Sequence, residues 1–350
     1  MRVANFNFHN LLRVRFEWRK FRALLKSLDL SLSYFLVDEL KNPDITVRVG
    51  PFKPAVSDCR VYERKFFVKE GFFYGEGGNW RANWAVQIEG LEKDEIFVNI
   101  NAKTRSFRGI LAPNMLVNLI VIPLLELKFL ERNYVLLHAG AVSKNRKGLL
   151  IVGRGGSAKT SIAMDLVRKH GYEYMGDDRV LVGKNLLSFP THVEVFYCML
   201  KNARSEYLSL HEKIKLIFCL RNLRIKNLRE FKICDMSPLN CVLFIHPSSR
   251  PYKIKSLSVE DAKKKILANM LTEYFEMARI VGLGILPTFE FFNAYSAAFP
   301  NSSVAKFQEK LLVLLEDLLS GLPIYEVSVP IRYEEGIASV IDSIFEREIG

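Results

Sequence analysis

The sequence predicts an α/β protein, and three observations carry that prediction. Short apolar segments typical of strands alternate with amphipathic helical segments through much of the chain. One continuous apolar run, Leu149–Val152, leads into a glycine-rich loop and then into a helical segment at Thr160–His170. A further strand-like segment, Tyr172–Met175, follows that helix. Elements of these lengths form a βαβ-type unit, in which ligands bind at the carboxyl ends of the strands.

The composition is that of a globular protein with one large or two smaller domains. Of 350 residues, 49% are hydrophobic and 25% are charged, so the chain can bury a core without disulfides or metals. The five cysteines form no CxxC pair, which argues against a disulfide framework or a zinc site and favours a reducing compartment. We therefore expect a cytoplasmic protein. The N-terminal residues are interrupted by polar and basic side chains and do not resemble a signal peptide.

The net charge of +12 favours an acidic partner, such as a nucleotide, a nucleic acid, a phospholipid surface or an acidic protein. The basic residues are scattered, with local density only at residues 221–232 and 263–265. Scattered charge is typical of solvated faces, so nucleic-acid binding is not favoured. A membrane surface and a homo-oligomer are both compatible with the sequence, and nothing in it supports either.

Residues 1–132 are predicted to form an N-terminal α/β domain with an apolar connecting helix. Trp18–Ser27 and Leu36–Leu40 suggest short helices, and Gly75–Gly78 (GEGG) suggests a turn. Apolar or alternating patterns predict strands at Ile45–Val49, Val61–Val68, Phe72–Tyr74, Ala85–Ile88 and Ile96–Ile100.

The connecting helix is predicted at Gly109–Leu130, an apolar stretch close to the length that spans a bilayer. Pro123, Glu126 and Lys128 interrupt it, and arginines flank it. We interpret it as a buried helix packed against a sheet, in preference to a membrane span or a helix in the membrane interface.

Residues 133–350 are predicted to form the second domain. Asn145–Gly148 predicts a hairpin turn before the apolar run at Leu149–Val152, and Gly171 predicts the end of the helix that follows. Further strands are predicted at Tyr134–Leu137, Val180–Val182, Val193–Tyr197, Cys241–Ile245 and Ile324–Val329, and further helices at Val259–Ile280, Val304–Leu319 and Gly336–Phe345.

The glycine-rich loop matches the phosphate-binding pattern GxxxxGK[ST] except at one position. It reads Gly153, Arg154, Gly155, Gly156, Ser157, Ala158, Lys159, Thr160, and Ser161 follows it. In a P-loop, backbone N–H groups and the helix N-terminus hold the phosphates, the lysine reaches the β- and γ-phosphates, and the hydroxyl binds Mg²⁺. Ala158 replaces the last glycine, where a Cβ is tolerable if the backbone is already helical. The alternative interpretation is an ordinary glycine-rich turn.

Two acidic residues follow the next predicted strand, in the segment Gly176-Asp177-Asp178-Arg179. Adjacent side chains on an extended chain point in different directions, so one carboxylate can face the phosphates while the other serves Mg²⁺. A carboxylate near the γ-phosphate can accept the proton of an attacking hydroxyl. An Asp-rich turn is the alternative. His138, just before the hairpin, is a third candidate, although a single histidine is more often structural.

Taken in order, these segments resemble the catalytic domain of HPr kinase/phosphorylase and its related kinases. The matching parts are HAGAV, the apolar strand, GRGGSAKT, the helix ending at Gly171-Tyr172, and Met175–Val180, within about residues 134–200. Phosphoenolpyruvate carboxykinase is a more distant relative. The resemblance implies a P-loop kinase domain of the HPr kinase/phosphoenolpyruvate carboxykinase-like type at residues 133–350.

The resemblance also implies roles for individual residues. His138 matches the active-site histidine, Lys159 the P-loop lysine, and Thr160 the hydroxyl that binds Mg²⁺. Asp177 matches the carboxylate that accepts the proton, and Asp178 supports the metal. The expected ligands are ATP and Mg²⁺, held by residues 153–161 and Asp178.

Two parts of the family pattern have no clear counterpart. Its later glutamate segment is matched at best by Glu194, and Arg250 is a weak substitute for its later arginine element. We therefore expect an ATP-dependent kinase whose acceptor is not HPr but another hydroxyl, on a protein serine or a small-molecule alcohol.

A nucleotide-binding switch with little catalytic activity is the alternative function, favoured by Ala158 and the missing segments. The strand Cys241–Ile245 is followed by His246 and not by a Walker B aspartate, which disfavours an ATPase motor. A carboxykinase acting on a small acid ranks last, since no Arg/Lys cluster is evident. The acceptor, the donor nucleotide, reverse transfer and the oligomeric state are open.

Overall fold

A computed structural model describes residues 1–19, 32–78, 82–104, 112–190, 231–281, 287–334 and 336–349. The protein is a mixed α/β structure with two large mixed β-sheets. The predicted strand Val193–Tyr197, with Glu194, lies outside the described residues, as does most of the predicted helix Trp18–Ser27. The described α-helices are α1 (Ala112–Glu131), α2 (Lys159–Lys169), α3 (Val259–Val281), α4 (Pro287–Ala298), α5 (Phe307–Leu319) and α6 (Gly336–Ile349).

The described strands fall into an N-terminal and a C-terminal group. The N-terminal group comprises β1 (Arg2–Phe8), β2 (Leu12–Trp18), β3 (Leu36–Val37), β4 (Ile45–Val49), β5 (Arg60–Tyr62), β6 (Phe66–Lys69), β7 (Phe72–Gly78), β8 (Ala82–Glu89), β9 (Ile96–Thr104) and β10 (Val135–Leu137). The C-terminal group comprises β11 (Ala139–Lys144), β12 (Lys147–Val152), β13 (Glu173–Gly176), β14 (Val180–Val182), β15 (Asn185–Leu187), β16 (Met236–Ser248), β17 (Ile254–Ser256) and β18 (Ile324–Pro330).

The chain folds into two compact units that are not contiguous in sequence. The first unit contains Met1–Lys26, Phe35–Leu137 and Leu257–Gly321, and the second contains Ser27–Tyr34, His138–Ser256 and Leu322–Gly350. Residues 257–321, which the sequence analysis places in the second domain, therefore belong to the first unit. Helix α4 contacts β6 and β7, while α3 and α5 contact each other and α1. Long-range contacts of this kind leave no local signal in the sequence.

The sheet of the first unit has the strand order β3-β1-β2-β4-β9-β8-β7-β6-β5. Strands β1 and β2 form a hairpin whose turn places His9 and Asn10 at positive φ. Strand β4 pairs in parallel with both β2 and β9, and the strands from β5 to β9 pair antiparallel. The predicted strand Val61–Val68 is instead divided by a turn, with Glu63 and Arg64 at positive φ, into the antiparallel strands β5 and β6. The other strands predicted between residues 45 and 100 are confirmed, and the N-terminal hairpin is an addition to them.

Two local predictions in this unit are wrong. Leu36 and Val37, predicted as helix, form strand β3 beside β1. Gly75–Gly78, predicted as a turn, forms the end of strand β7 and pairs with β8. A Cβ on Gly75 would lie 2.9 Å from ring atoms of Phe66 and Phe73. These glycines therefore leave room for aromatic rings over a strand.

Helix α1 confirms the predicted buried helix. From residue 120 to 130 its side chains are mostly buried, and the ammonium of Lys128 donates to the carbonyl of Lys93 (2.7 Å) and to Glu131 (2.7 Å). These bonds satisfy a charge that would otherwise be costly to bury. Among the helices that the structure describes, none is long and apolar enough to cross a membrane.

The sheet of the second unit runs in the order β14-β15-β16-β12-β11-β13, and β18 pairs with β16 and β17. Strand β12 pairs in parallel with β16 and antiparallel with β11, as the predicted hairpin requires. Helices α2 and α6 share one apolar core with β11, β12, β16 and β18. The apolar face predicted for α2 is confirmed, because Ile162, Ala163 and Leu166 are fully buried in it.

A polar cluster joins α6 to the C-terminal end of α2. The Asp342 carboxylate accepts hydrogen bonds from Lys144 (3.0 Å) and Tyr172 (3.0 Å), and it lies 3.0 Å from Nδ1 of His170, the C-cap residue of α2. Burial acts to raise the pKa of the Asp342 carboxyl, but these three partners outweigh burial and lower it. The cluster fixes the C-terminal end of α2, which is the end opposite the glycine-rich loop.

Candidate nucleotide-binding site

Three chain segments converge at one edge of the second sheet. Ala139, at the start of β11, pairs with Val152, the last residue of β12, and Ala141 pairs with Gly176, the last residue of β13. The residues just beyond these ends are His138, Gly153 and Asp177. The register therefore brings the predicted histidine, the glycine-rich loop and the acidic pair to the same edge.

The glycine-rich loop joins the central strand β12 to the N-terminus of α2, as predicted. A Cβ on Gly153 would lie 2.6 Å from the carbonyl oxygen of Ile245 and 2.5 Å from Oγ of Ser157, so only glycine fits there. Gly156 has a φ of 78°, a conformation that favours glycine. The Oγ of Ser157 is buried and makes no hydrogen bond within the described part of the chain.

Ala158 adopts the left-handed conformation, with φ 67° and ψ 16°, and is the N-cap residue of α2. A Cβ is tolerable here if the backbone is already helical, and that condition is not met. Glycine, the residue of the reference pattern, takes this conformation without strain, whereas alanine is strained by about 1–2 kcal/mol. The loop therefore holds residue 158 in a conformation that alanine itself disfavours.

Lys159 is folded back over the loop that precedes it. Its ammonium donates to the carbonyl oxygens of Gly153 (2.6 Å) and Arg154 (3.1 Å), and the residue is 6% exposed. Thr160 beside it is also buried. The lysine charge thus lies over the main chain of the loop, where a phosphate bound by the loop's N–H groups would meet it.

The two aspartates after β13 have different partners. Asp177 is 1% exposed, and its Oδ1 accepts a 2.5 Å hydrogen bond from the hydroxyl of Tyr174. Asp178 is less buried, with its side chain 21% exposed, and its Oδ2 accepts a 2.9 Å bond from Arg179. The predicted divergence of the two carboxylates is therefore seen in their contacts.

His138 faces the second aspartate. Its Nδ1 lies 3.4 Å from Oδ1 of Asp178. Burial acts to raise the pKa of the Asp178 carboxyl. The charges of Arg179, His138 and Lys159 outweigh that effect, so the pKa of Asp178 lies below the usual range. A carboxylate that interacts with Lys159 lies within electrostatic reach of the loop.

The strands next to the loop carry a carboxylate that sequence reasoning missed. Val152 pairs with Phe244 of β16, and Phe244 pairs with Glu326 of β18. Glu326 approaches His246, with 3.5 Å between its Oε1 and Nδ1 of the imidazole. Glu326 therefore places a carboxylate on β18, next to β16, which itself lacks a Walker B aspartate. In the sequence, the only signal for Glu326 was its position in the predicted strand Ile324–Val329.

The donor groups at this edge suit Mg²⁺ bound together with a nucleotide. Within the described ranges, no three or more His, Cys, Asp or Glu residues are grouped to hold a metal by themselves. Mg²⁺ does not need such a cage, since it is commonly bound by one or two carboxylates, phosphate oxygens and water. Thr160 and Asp178 are donors of the right kind.

The fold and the site define a mixed α/β protein with a glycine-rich loop between a central strand and a helix. No family model matches the chain, and no curated protein matches its sequence. Among solved structures, the HPr(Ser) kinase/phosphatase from Coxiella burnetii is similar over 61% of this chain and 88% of its own, with 10% identity and a TM-score of 0.25. Similarity at this level carries no weight for function, which rests on the chain's own residues.

Proposed function

We propose that the second unit binds ATP with Mg²⁺ and transfers the γ-phosphoryl group to a hydroxyl. The observation that carries the proposal is the convergence of His138, the Gly153–Thr160 loop and the Asp177–Asp178 pair at one edge of the sheet. A loop for phosphates, a lysine and two separately held carboxylates are the groups that phosphoryl transfer requires.

Each group has a distinct task in this proposal. The N–H groups of the loop and the N-terminus of α2 hold the triphosphate, and Lys159 moves from the loop carbonyls onto the phosphates. Thr160 and Asp178 would hold Mg²⁺, which offsets phosphate charge when it is bound. Arg179 and His138 keep Asp178 ionised and in place.

The reaction is an in-line displacement. The acceptor oxygen forms a bond to the γ-phosphorus while the bond from that phosphorus to the β–γ bridging oxygen breaks, and ADP leaves with the electron pair. The proton of the acceptor hydroxyl passes to the Asp177 carboxylate. The acceptor is a seryl residue of a protein or a small-molecule alcohol, a choice that follows from the family resemblance alone.

A nucleotide-binding switch with little turnover is the second candidate. The burial of Asp177 and the strained backbone at Ala158 favour it, because the base is reached only through a well-packed site. The two functions differ in their products. A kinase leaves labelled phosphate on an acceptor, whereas a switch leaves bound nucleotide.

A γ-³²P transfer assay tests the proposal. The protein is incubated with Mg-ATP and a cell extract separated into protein, small-molecule and lipid pools, and nucleotide affinity is measured in parallel. Lys159→Ala should lose both binding and label. Lys169→Ala, an exposed lysine at the other end of α2, is the matched control and should keep both.

Asp177→Asn distinguishes the base from the binding groups. It should bind nucleotide normally and lose transfer by about 10²–10⁴-fold, the usual contribution of a positioned base. Unchanged transfer in this variant would remove Asp177 from the mechanism. Tight binding by the wild type with no label in any pool would leave the switch as the function.

A further inference from the structure

The ring of Tyr174 is held rigidly beside the acidic pair. Tyr174 is fully buried and packs with Met164, Phe231 and Ile233, with 5.9 Å between its ring centroid and that of Phe231. Its backbone N–H donates to the carbonyl of Lys232 (2.9 Å) and its carbonyl accepts from the N–H of Cys234 (2.9 Å). The side chain thus projects from a backbone that is bonded on both sides.

The hydroxyl of Tyr174 is not needed to fill this space. Phenylalanine has the same ring, and a buried hydroxyl is unfavourable unless it finds a hydrogen-bond partner. Here the hydroxyl donates to Oδ1 of Asp177 at 2.5 Å. The hydroxyl is therefore explained by the carboxylate that it contacts.

The contact is selective for one member of the acidic pair. Asp178 takes its hydrogen bond from Arg179 and faces His138, whereas Asp177 takes its bond from Tyr174. Because Oδ1 of Asp177 accepts from a rigid donor, the orientation of the whole carboxylate is set.

We propose that Tyr174 is a positioning residue, which holds the Asp177 carboxylate in the orientation for proton transfer. The inference rests on the proposed function, since it gives Asp177 the role of base. Without the hydroxyl, Asp177 can rotate to other side-chain conformations. A misplacement of about 1 Å can reduce a rate by about 100-fold without altering ground-state binding.

The test is a double-mutant cycle between Tyr174→Phe and Asp177→Asn. Turnover is measured as inorganic phosphate released from Mg-ATP, with water as acceptor. Tyr174→Phe should lower kcat about 10- to 100-fold, with KM for Mg-ATP unchanged within about twofold. In the Asp177→Asn background the same substitution should have no further effect. A purely structural tyrosine would lower turnover equally in both backgrounds.

Tyr172→Phe is the matched control, because Tyr172 also donates to a carboxylate, that of Asp342, at the other end of α2. It should leave kcat unchanged. Wild-type kcat in Tyr174→Phe, or an undiminished effect in the Asp177→Asn background, would overturn the inference.

If the wild type releases no phosphate to water, the cycle is run on the γ-³²P transfer assay, in which a hydroxyl is the acceptor. Transfer should again fall in Tyr174→Phe and show no further loss in the Asp177→Asn background. No label in any pool would overturn the proposed function and, with it, the role of Tyr174. Wild-type transfer in Tyr174→Phe would overturn the role of Tyr174 alone.

Discussion

Replacing Ala158 by glycine should stabilise the glycine-rich loop, although glycine usually weakens a protein. Ala158 has a φ of 67°, in the left-handed region, at the start of α2. Ala163, on the same helix, is fully buried in the right-handed helical part. The pair Ala158→Gly and Ala163→Gly makes the same chemical change in opposite backbone conformations.

The expected magnitudes follow from these two conformations. At Ala158, glycine removes about 1–2 kcal/mol of backbone strain and gives back about 0.4–1 kcal/mol through the entropy of the unfolded chain. At Ala163, glycine costs about 1 kcal/mol in helix propensity and about 0.8 kcal/mol for the lost buried methyl. The free energies of unfolding of the two variants should therefore differ by roughly 2–3 kcal/mol, because the entropy of the unfolded chain changes equally in both.

Hydrogen–deuterium exchange suits this comparison better than fluorescence. Trp18 and Trp84 both belong to the first unit, so their emission does not report on α2. Exchange of peptides from β12 and α2 measures the free energy of opening in the second unit. Protection should rise or stay level in Ala158→Gly and should fall about 10-fold or more in Ala163→Gly.

Equal losses of protection in the two variants would refute the reasoning, since they would show that residue 158 is not left-handed in solution. A gain in nucleotide affinity in Ala158→Gly would show in addition that the Cβ of Ala158 crowds the bound phosphates. Unchanged affinity would confine the effect to the backbone.

Two further predictions concern the loop and the polar cluster of the second unit. Gly153→Ala should abolish nucleotide binding, because the new Cβ overlaps the carbonyl of Ile245. Gly156→Ala should only weaken binding, because no atom lies within 4 Å of its Cβ position. Equal affinities of the two variants for the fluorescent nucleotide mant-ATP would contradict this prediction. Asp342→Asn should destabilise the second unit by about 1–3 kcal/mol near pH 7. Because folding lowers the pKa of Asp342, its contribution to stability is present above the ordinary pKa of 3.8 and is lost as pH falls through the lower folded pKa. In urea unfolding, the gap in stability between variant and wild type should therefore close only in acid.

Much of the candidate site could be predicted from the sequence because its signals are local. The apolar run before Gly153, the lysine and threonine at the start of α2, and the acidic pair after the next strand all lie within about 30 residues. The hairpin turn and the helix stop at Gly171 are equally local, and both are confirmed, with Gly171 at a φ of 75°. Short-range periodicity and turn chemistry are properties that a sequence displays directly.

Other features depend on contacts between distant segments, and tertiary structure decided them. The sequence shows two aspartates, but only packing assigns Tyr174 to Asp177 and His138 to Asp178. Glu326 reaches the site's neighbourhood from a strand more than 160 residues after the loop, by pairing with β16.

Backbone conformation at a single position is decided in the same way. Alanine prefers the right-handed helix, yet Ala158 is left-handed at the junction of the loop with α2. Residues 257–321 belong to the first unit because their apolar faces match its sheet and α1. The sequence by itself determined which groups are available and in what order; long-range packing decided which of them meet, since burial acts across the fold without regard to chain separation.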